Sequence, residues 1–442
     1  MTLPPGPSTP RLVQAAYALA MPGRGMRRLH ARYGDAFTVN MPIFGHAVVI
    51  SRPDEIKQLF TTGTDVVDNL DQNLGRVLGP GSLFALSGEE HRVRRKLLVP
   101  PFHGRRLLAY EQIVEDETVR EMATWPRDTP FPVLPSTMRI TLNAILRAVF
   151  GAEGAEFDRL RELLPRMVEL GSKLAVIPLP TKGRFSPWTR FRAMRREYDA
   201  VVDQLVAKAE RAGLEGRDDV LAMMLQSRYE DGTAMSRGDV ADQLLTLLAA
   251  GHETTATTLA WTVERLRRHP EVLRDLVDEV DAGGKALREA TVIEVQRNRP
   301  VIDMVGRQVR ADGFQLGRWT IPKGYAVLVS IALIHDDDAV FPDAATFDPT
   351  RFVSGRPDLY HWIPFGGGTR RCVGAAFASM EMNVVLRTML RDVTLAPTTE
   401  PGERWHSRGI ANAPGKGGLA VVRRRSVVTA ERAGEAAEGA RW

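Results

Sequence analysis

The sequence predicts a mainly α-helical protein with small β-sheets, and three observations carry that expectation. Residues 105–230 hold long helical patterns with few β-branched runs. A further pattern runs without a breaker from Ser236 to His269-Pro270, about eight helical turns. Strand-like text is confined to short stretches near residues 36–50 and 312–331. Hydrophobic residues make up 44% and charged residues 26% of 442, the balance of a soluble globular chain with a sizeable core. A single cysteine excludes an internal disulfide, four-thiolate zinc or iron–sulfur sites, and CxxCH heme attachment.

Taken in order, Pro4-Pro5-Gly6-Pro7 reads as a stiff, non-helical spacer. The apolar stretch Leu12–Met21 is about half of the ~20 residues that a bilayer crossing needs, so no membrane span and a cytoplasmic protein are expected. Ala36–Met41 and Ala47–Ile50 flank Pro42 and Gly45 and fit a hairpin, after which the chain turns helical at Pro53. GEEHRVRRKLLV, residues 88–99, reads as a basic helix stopped by Pro100-Pro101. The following helical stretch is interrupted near Ile177-Pro178-Leu179-Pro180.

Ser236 with Asp239 three residues on is a capping-box signature opening the long pattern. A helix apolar on several sides, through Leu244, Leu245, Leu247, Leu248 and Ala249, belongs in the middle of the protein, and polar residues there need a purpose. Residues 312–331 switch to strands and turns, and a long irregular section follows from His335 to Phe365. Helix returns after Cys372, where Phe377, Met380 and Val384 share a face. We expect one domain over residues 1–425 and a disordered tail over 426–442. The net charge of +5 comes with scattered arginines and no aromatic–basic motif, so nucleic acid is not an expected partner.

Four separated stretches carry chemistry. In FGGGTRRCVG, residues 365–374, backbone N–H groups can approach a thiolate closely, and a helix N-terminus begins just behind it. A lone cysteine is more often a small buried hydrophobe, but the full spacing Phe365-x-x-Gly368-x-Arg370-x-Cys372-x-Gly374 is far more restrictive. In AGHETT, residues 250–255, Ala250 and Gly251 leave space while Glu253 and Thr254 set an acid beside a hydroxyl. An HExxH zinc site is excluded because Ala256 stands where the second histidine is needed. Glu294 and Arg297 in EVQR share a helix face, a common surface pairing on its own. His91 and Arg95 lie one turn apart on the basic helix, the spacing at which two donors meet one carboxylate.

The cysteine loop resembles the ligand loop of the cytochrome P-450 heme-thiolate monooxygenases, and the other motifs follow in that family's order over roughly residues 25–425. The resemblance departs at His91, where many relatives have Trp, and at Asp-Pro-Thr-Arg, where Pro-Glu-Arg is usual. It implies the cytochrome P-450 fold, with heme b (iron protoporphyrin IX) between the central helix and the cysteine-loop helix, and Cys372 as axial metal ligand. It also implies heme contacts from Ala250, Gly251, Phe365, Gly368 and Gly374, with propionate contacts from His91, Arg95, Arg307 and Arg370. Glu253 and Thr254 would relay protons, and Glu294, Arg297 and Arg351 in FDPTRF would form a buried charged cluster. The implied reaction inserts one atom of O2 into a hydrophobic small molecule such as a lipid, steroid, terpenoid or polyketide, in a bacterial-type enzyme.

Electrons would come from a separate ferredoxin and ferredoxin reductase, docking on Arg92, Arg94, Lys96 and Arg371. By the same resemblance residues 70–86, Leu245, Leu248, Ala249, Val301–Val305 and Gly409–Ala411 would line the distal pocket. A peroxygenase or isomerase on the same fold and a non-catalytic heme-binding sensor are the alternatives. Intact Glu253 and Thr254 favour the O2 route.

Overall fold

Ser236 starts the longest helix as its sequence proposes: its Oγ accepts from the Asp239 amide at 3.1 Å and donates to the Asp239 carboxylate at 2.9 Å. The helix that follows, Arg237–Leu266, is buried along most of its length, including Asp242, Gln243 and Thr246. We describe this in a computed structural model covering residues 2–425, apart from 21–22, 42–43, 71–73, 105, 152–153, 177–182 and 184–185. The expected interruption at 177–180 and the tail at 426–442 lie outside the described residues.

The polar residues in the first half of the central helix have a structural task. Asp242 accepts from the Gly81 amide at 2.8 Å, Gln243 donates to the Gly81 carbonyl, and Thr246 bonds Ser82 at 2.7 Å. These bonds anchor the loop that precedes the basic helix. Gly79 and Gly81 permit the approach, since a Cβ at either would overlap Asp242 or Asp239.

Helix Leu134–Phe150 lies against the central helix, and its Thr137 and Thr141 hydroxyls donate to the carbonyls of Ala256 (2.9 Å) and His252 (3.0 Å). Helix Ala375–Asp392 packs near it and against helix Arg106–Met122, where Phe377 meets Phe102 and Tyr110 edge-on at 5.8 and 5.5 Å. Val384 is buried on the same side. The apolar faces of these helices form the main core.

Strands Ala36–Met41 and Gly45–Ile50 pair as the expected hairpin. The hairpin is the edge of a five-stranded sheet that continues through Ala326–Ser330, Met304–Val309 and Val67–Asp68. Residues 312–331 supply Gly313–Leu316, Trp319–Pro322 and Ala326–Ser330, as their composition indicates, whereas Met304–Val309 is a strand that the sequence did not announce. The basic helix spans Gly88–Leu98 and ends in a single 3-10 turn at Pro100–Phe102.

EVQR lies on helix Ala286–Asn298, and Glu294 and Arg297 form a fully buried pair with both bonds at 2.7 Å. Arg297 also donates to the carbonyls of His335, Ala344 and Thr346, so one guanidinium holds the irregular section in place. Arg351 acts on Glu294 through its charge, which helps hold the carboxyl pKa down, and makes no direct hydrogen bond to it. It donates to the carbonyls of Pro342 and Asp343, because the Glu294 oxygens already accept from Arg297 and the Asp348 amide.

Candidate functional site

A tight set of backbone bonds builds the cysteine loop. The amides of Gly366 and Arg371 reach the carbonyls of Ile363 (3.0 Å) and Gly368 (3.1 Å), and the Cys372 amide donates back to Phe365 at 2.9 Å. Gly366 and Gly368 adopt φ of 64° and 63°, a region side chains disfavour. Gly367 and Gly368 press on the helix Pro53–Thr61, where a Cβ would collide with the ring or carbonyl of Phe60. The loop has one shape available to it.

Cys372 closes this loop with its sulfur exposed, although protein surrounds it closely on its other sides. Those two facts together place Cys372 in a recess of the protein. Burial pushes the thiol pKa up, while the Gly374 N–H and the nearby Arg95 and Arg371 pull it down. Gly374 also caps the helix Ala375–Asp392, so the sulfur stands at a helix N-terminus. Phe365 packs beside the loop, edge-on to Trp362 at 5.8 Å.

The central helix is buried on both sides of one short interval. Ala250 is exposed, and Ala249, Gly251 and Thr254 keep partial surface, while their neighbours are buried. Gly251 faces elsewhere than its place in the motif implies: a Cβ there would sit 3.5 Å from Ile145 of helix Leu134–Phe150, at ordinary packing distance. Ala250 therefore supplies the opening and Gly251 supplies backbone. The Thr254 hydroxyl donates to the Ala250 carbonyl at 2.8 Å, one turn earlier. Glu253 is buried and paired with Arg408 at 3.0 Å, so the acid and the hydroxyl have separate partners. Leu245 and Leu248, expected on the pocket wall, are packed in the main core instead, and only Ala249 keeps surface.

His91, Arg95, Arg307 and Arg370 come together, with Asp68 as the acid among them. Arg370 bonds Asp68 at 2.6 Å and the Leu83 carbonyl at 3.1 Å, which ties the loop over residues 79–86 to the cysteine loop. Arg307 donates to the Gly367 carbonyl at 2.9 Å. Burial first, then repulsion from Arg370 and Arg95, pushes His91 down to about 4, so it is neutral at pH 7. Burial and Arg370 likewise push Arg307 down to about 10. Three guanidiniums against one carboxylate, all partly or fully buried, call for a carboxylate-bearing ligand. The propionates of a heme have that chemistry, and the residues present fit them.

Some residues at this site were not singled out from sequence. Asp68 and Arg408 carry no local pattern, since their partners lie 302 and 155 positions away. The basic docking face is also altered. Arg94 is buried and bonds the Gly81 carbonyl and Asp239, Arg92 is paired with Glu89, and Lys96 with Glu230, while Arg371 is exposed.

A family model described as Cytochrome P450 matches residues 4–421. A Mycobacterium tuberculosis protein named cytochrome P450 138 is 54% identical over 427 residues, covering 96% of this chain and 97% of its own. A second protein of that organism, named cytochrome P450 135B1, is 37% identical over 434 residues, with 96% and 92% covered. The solved structure of retinoic acid-bound cyanobacterial CYP120A1 matches with a TM-score of 0.85 at 22% identity, covering 96% of this chain and 100% of that one, and shows the same fold. The cysteine loop, the interrupted burial of the central helix and these matches lead to one conclusion: the chain belongs to the cytochrome P450 family, oxidoreductases of the monooxygenase class that use a heme with a cysteine thiolate ligand.

Proposed function

We propose that this protein is a single-domain monooxygenase that inserts one oxygen atom from O2 into a hydrophobic small molecule, in which the Cys372 thiolate would hold the iron of heme b. The exposed Cys372, recessed in the protein with Arg95 and Arg371 nearby, is the observation that carries this reading. When bound, the heme supplies the activation of O2 and accepts the electrons.

The chain's own residues hold and protonate. Arg307, Arg370, Arg95 and His91 bind the propionates, and the Gly374 N–H stabilises the sulfur anion. Phe365, the loop glycines and Ala250 would contact the heme, the glycines and Ala250 because they carry little or no side chain. Glu253, reached from solvent past half-buried Arg408, passes a proton toward the Thr254 hydroxyl. Electrons come from a ferredoxin and its reductase in the cytoplasm, with Arg371 as the exposed basic contact nearest the sulfur.

The test is an absorption spectrum of the reduced, carbon monoxide-bound protein. The strongly red-shifted band of a thiolate-ligated heme is expected, and Cys372→Ser should abolish it. A band typical of nitrogen ligation in the wild-type protein would overturn the assignment.

A further inference from the structure

The net charge of +5 is carried by the opening stretch of the chain. Arginines are scattered along the whole sequence, but the acids that balance them begin only at Asp35. Residues 1–34 hold five arginines, Arg11, Arg24, Arg27, Arg28 and Arg32, and no lysine, aspartate or glutamate. The other 54 of the 59 basic residues meet 54 acids over residues 35–442, so the remainder of the chain is neutral by formal charge. Such an asymmetry points to an anionic partner for that stretch.

The fold makes the stretch a fixed part of the surface. Thr38, in strand Ala36–Met41, donates from its amide to the Pro5 carbonyl at 2.9 Å and from its hydroxyl to the Pro4 carbonyl at 2.8 Å. Helix Arg11–Ala20 is held through Gln14, whose Oε1 accepts from the Asn40 amide at 2.9 Å and whose Nε2 donates to the Thr9 carbonyl at 2.8 Å. Helix Arg24–Tyr33 packs Met26, Leu29 and Tyr33 against the core under the hairpin. Its Arg27, Arg28 and Arg32 are exposed, with Arg27 paired to Asp336 at 3.0 Å. Both helices lie against the same strand and touch each other.

The first turn of Arg11–Ala20 adds an apolar element. Leu12 is 79% and Val13 52% exposed, and Leu12 is the most exposed large apolar side chain among the described residues. Arg11 beside them is exposed as well. Apolar side chains that can enter the acyl boundary, next to guanidiniums that can meet phosphates, are the marks of an element lying in a membrane interface. No helix among the described residues is long and apolar enough to cross a membrane, so the contact is peripheral.

We propose that helices Arg11–Ala20 and Arg24–Tyr33 form a docking surface for an anionic lipid membrane, with Leu12 and Val13 inserted at the headgroup boundary and Arg28 and Arg32 on lipid phosphates. Nucleic acid would use the arginines and leave the apolar pair idle. A stable protein interface needs far more surface than that pair supplies. A lipid surface takes both as they stand. Docking there would hold the protein beside the phase in which hydrophobic small molecules dissolve.

The experiment sediments the full-length, heme-loaded protein with vesicles of phosphatidylcholine alone or mixed with phosphatidylglycerol, at low and high salt. Binding is expected to the mixed vesicles only, and to weaken steeply with salt. Replacing both apolar side chains, Leu12→Gln with Val13→Gln, should weaken it at least about tenfold at unchanged charge. Arg28→Gln and Arg32→Gln should each weaken it about fivefold. Arg424→Gln, at an exposed arginine outside this surface, should leave it unchanged. Leu12→Gln alone serves if the double variant does not fold.

Absence of binding to mixed vesicles at low salt, or equal binding to neutral ones, overturns the inference. So does wild-type binding by the variant lacking the apolar pair. A loss with Arg424→Gln equal to that with Arg32→Gln overturns it too, because net charge alone would then account for the attraction.

Discussion

Glu253 and Thr254 are neighbours in sequence but answer to different partners, and this decides how each responds to substitution. Thr254→Ala deletes the bond to the Ala250 carbonyl while leaving the cysteine loop and its cations untouched. Heme binding should persist, and consumed O2 should be diverted to peroxide. Peroxide and product formed per electron measure this, and an unchanged product yield counts against the relay. Both residues were singled out because they sit in one short motif. Arg408 was not, because a charge partner contributed from 155 residues away leaves no local trace. Leu245 and Leu248 were misplaced for a related reason: helical periodicity gives the face a residue occupies, but not whether that face meets a cavity or the core.

Among the elements, the helices and the irregular section were readable from caps, prolines and periodicity, whereas the strand Met304–Val309 was not. Gly306 and Arg307 interrupt its apolar pattern, and each has a tertiary cause. Leu70 and Leu328 fill the space a side chain at Gly306 would take, while Arg307 is turned toward the cysteine loop. The element most exposed to a single substitution is helix Ala286–Asn298. Burial pushes the Glu294 carboxyl pKa up, opposed chiefly by the Arg297 fork. Glu294→Ala would strand the Arg297 charge and loosen the section it holds, and should cost about 3–5 kcal/mol in denaturant unfolding. A loss under 1 kcal/mol would show that Arg297 finds other company.

For the whole molecule, acid sensitivity follows from a buried histidine that holds the start of the cysteine loop. The His335 Nε2 accepts from the Ile363 amide at 3.1 Å, so it must be unprotonated in the folded state. Burial, then Arg297, pushes its pKa from 6.5 down to about 3. Between those values the unfolded chain binds the proton and the folded one does not, so stability is present above pH 6.5 and lost as the pH falls. The loss should approach about 1.4 kcal/mol per pH unit within that window. His335→Gln should flatten that limb, as unfolding midpoints at pH 7 and pH 5 would reveal. The proposed docking of a ferredoxin is also tested on the whole molecule. Because Arg92 and Lys96 are already paired and Arg94 is buried, Arg371→Glu should slow reduction by an acidic ferredoxin several-fold at low salt, and Arg92→Glu much less. Stopped-flow reduction rates across ionic strengths separate the two.

The contact of Gly367 and Gly368 with Phe60 has a mechanical side. The sulfur's seat takes its rigidity from a short helix in the opening stretch of the chain, which rests on the hairpin sheet and contributes nothing to the proton route. Warping that helix would shift the glycines that press on it, and with them the loop that carries Cys372. A substitution at Phe60 should therefore be felt at Cys372 although the two lie 312 positions apart in the chain.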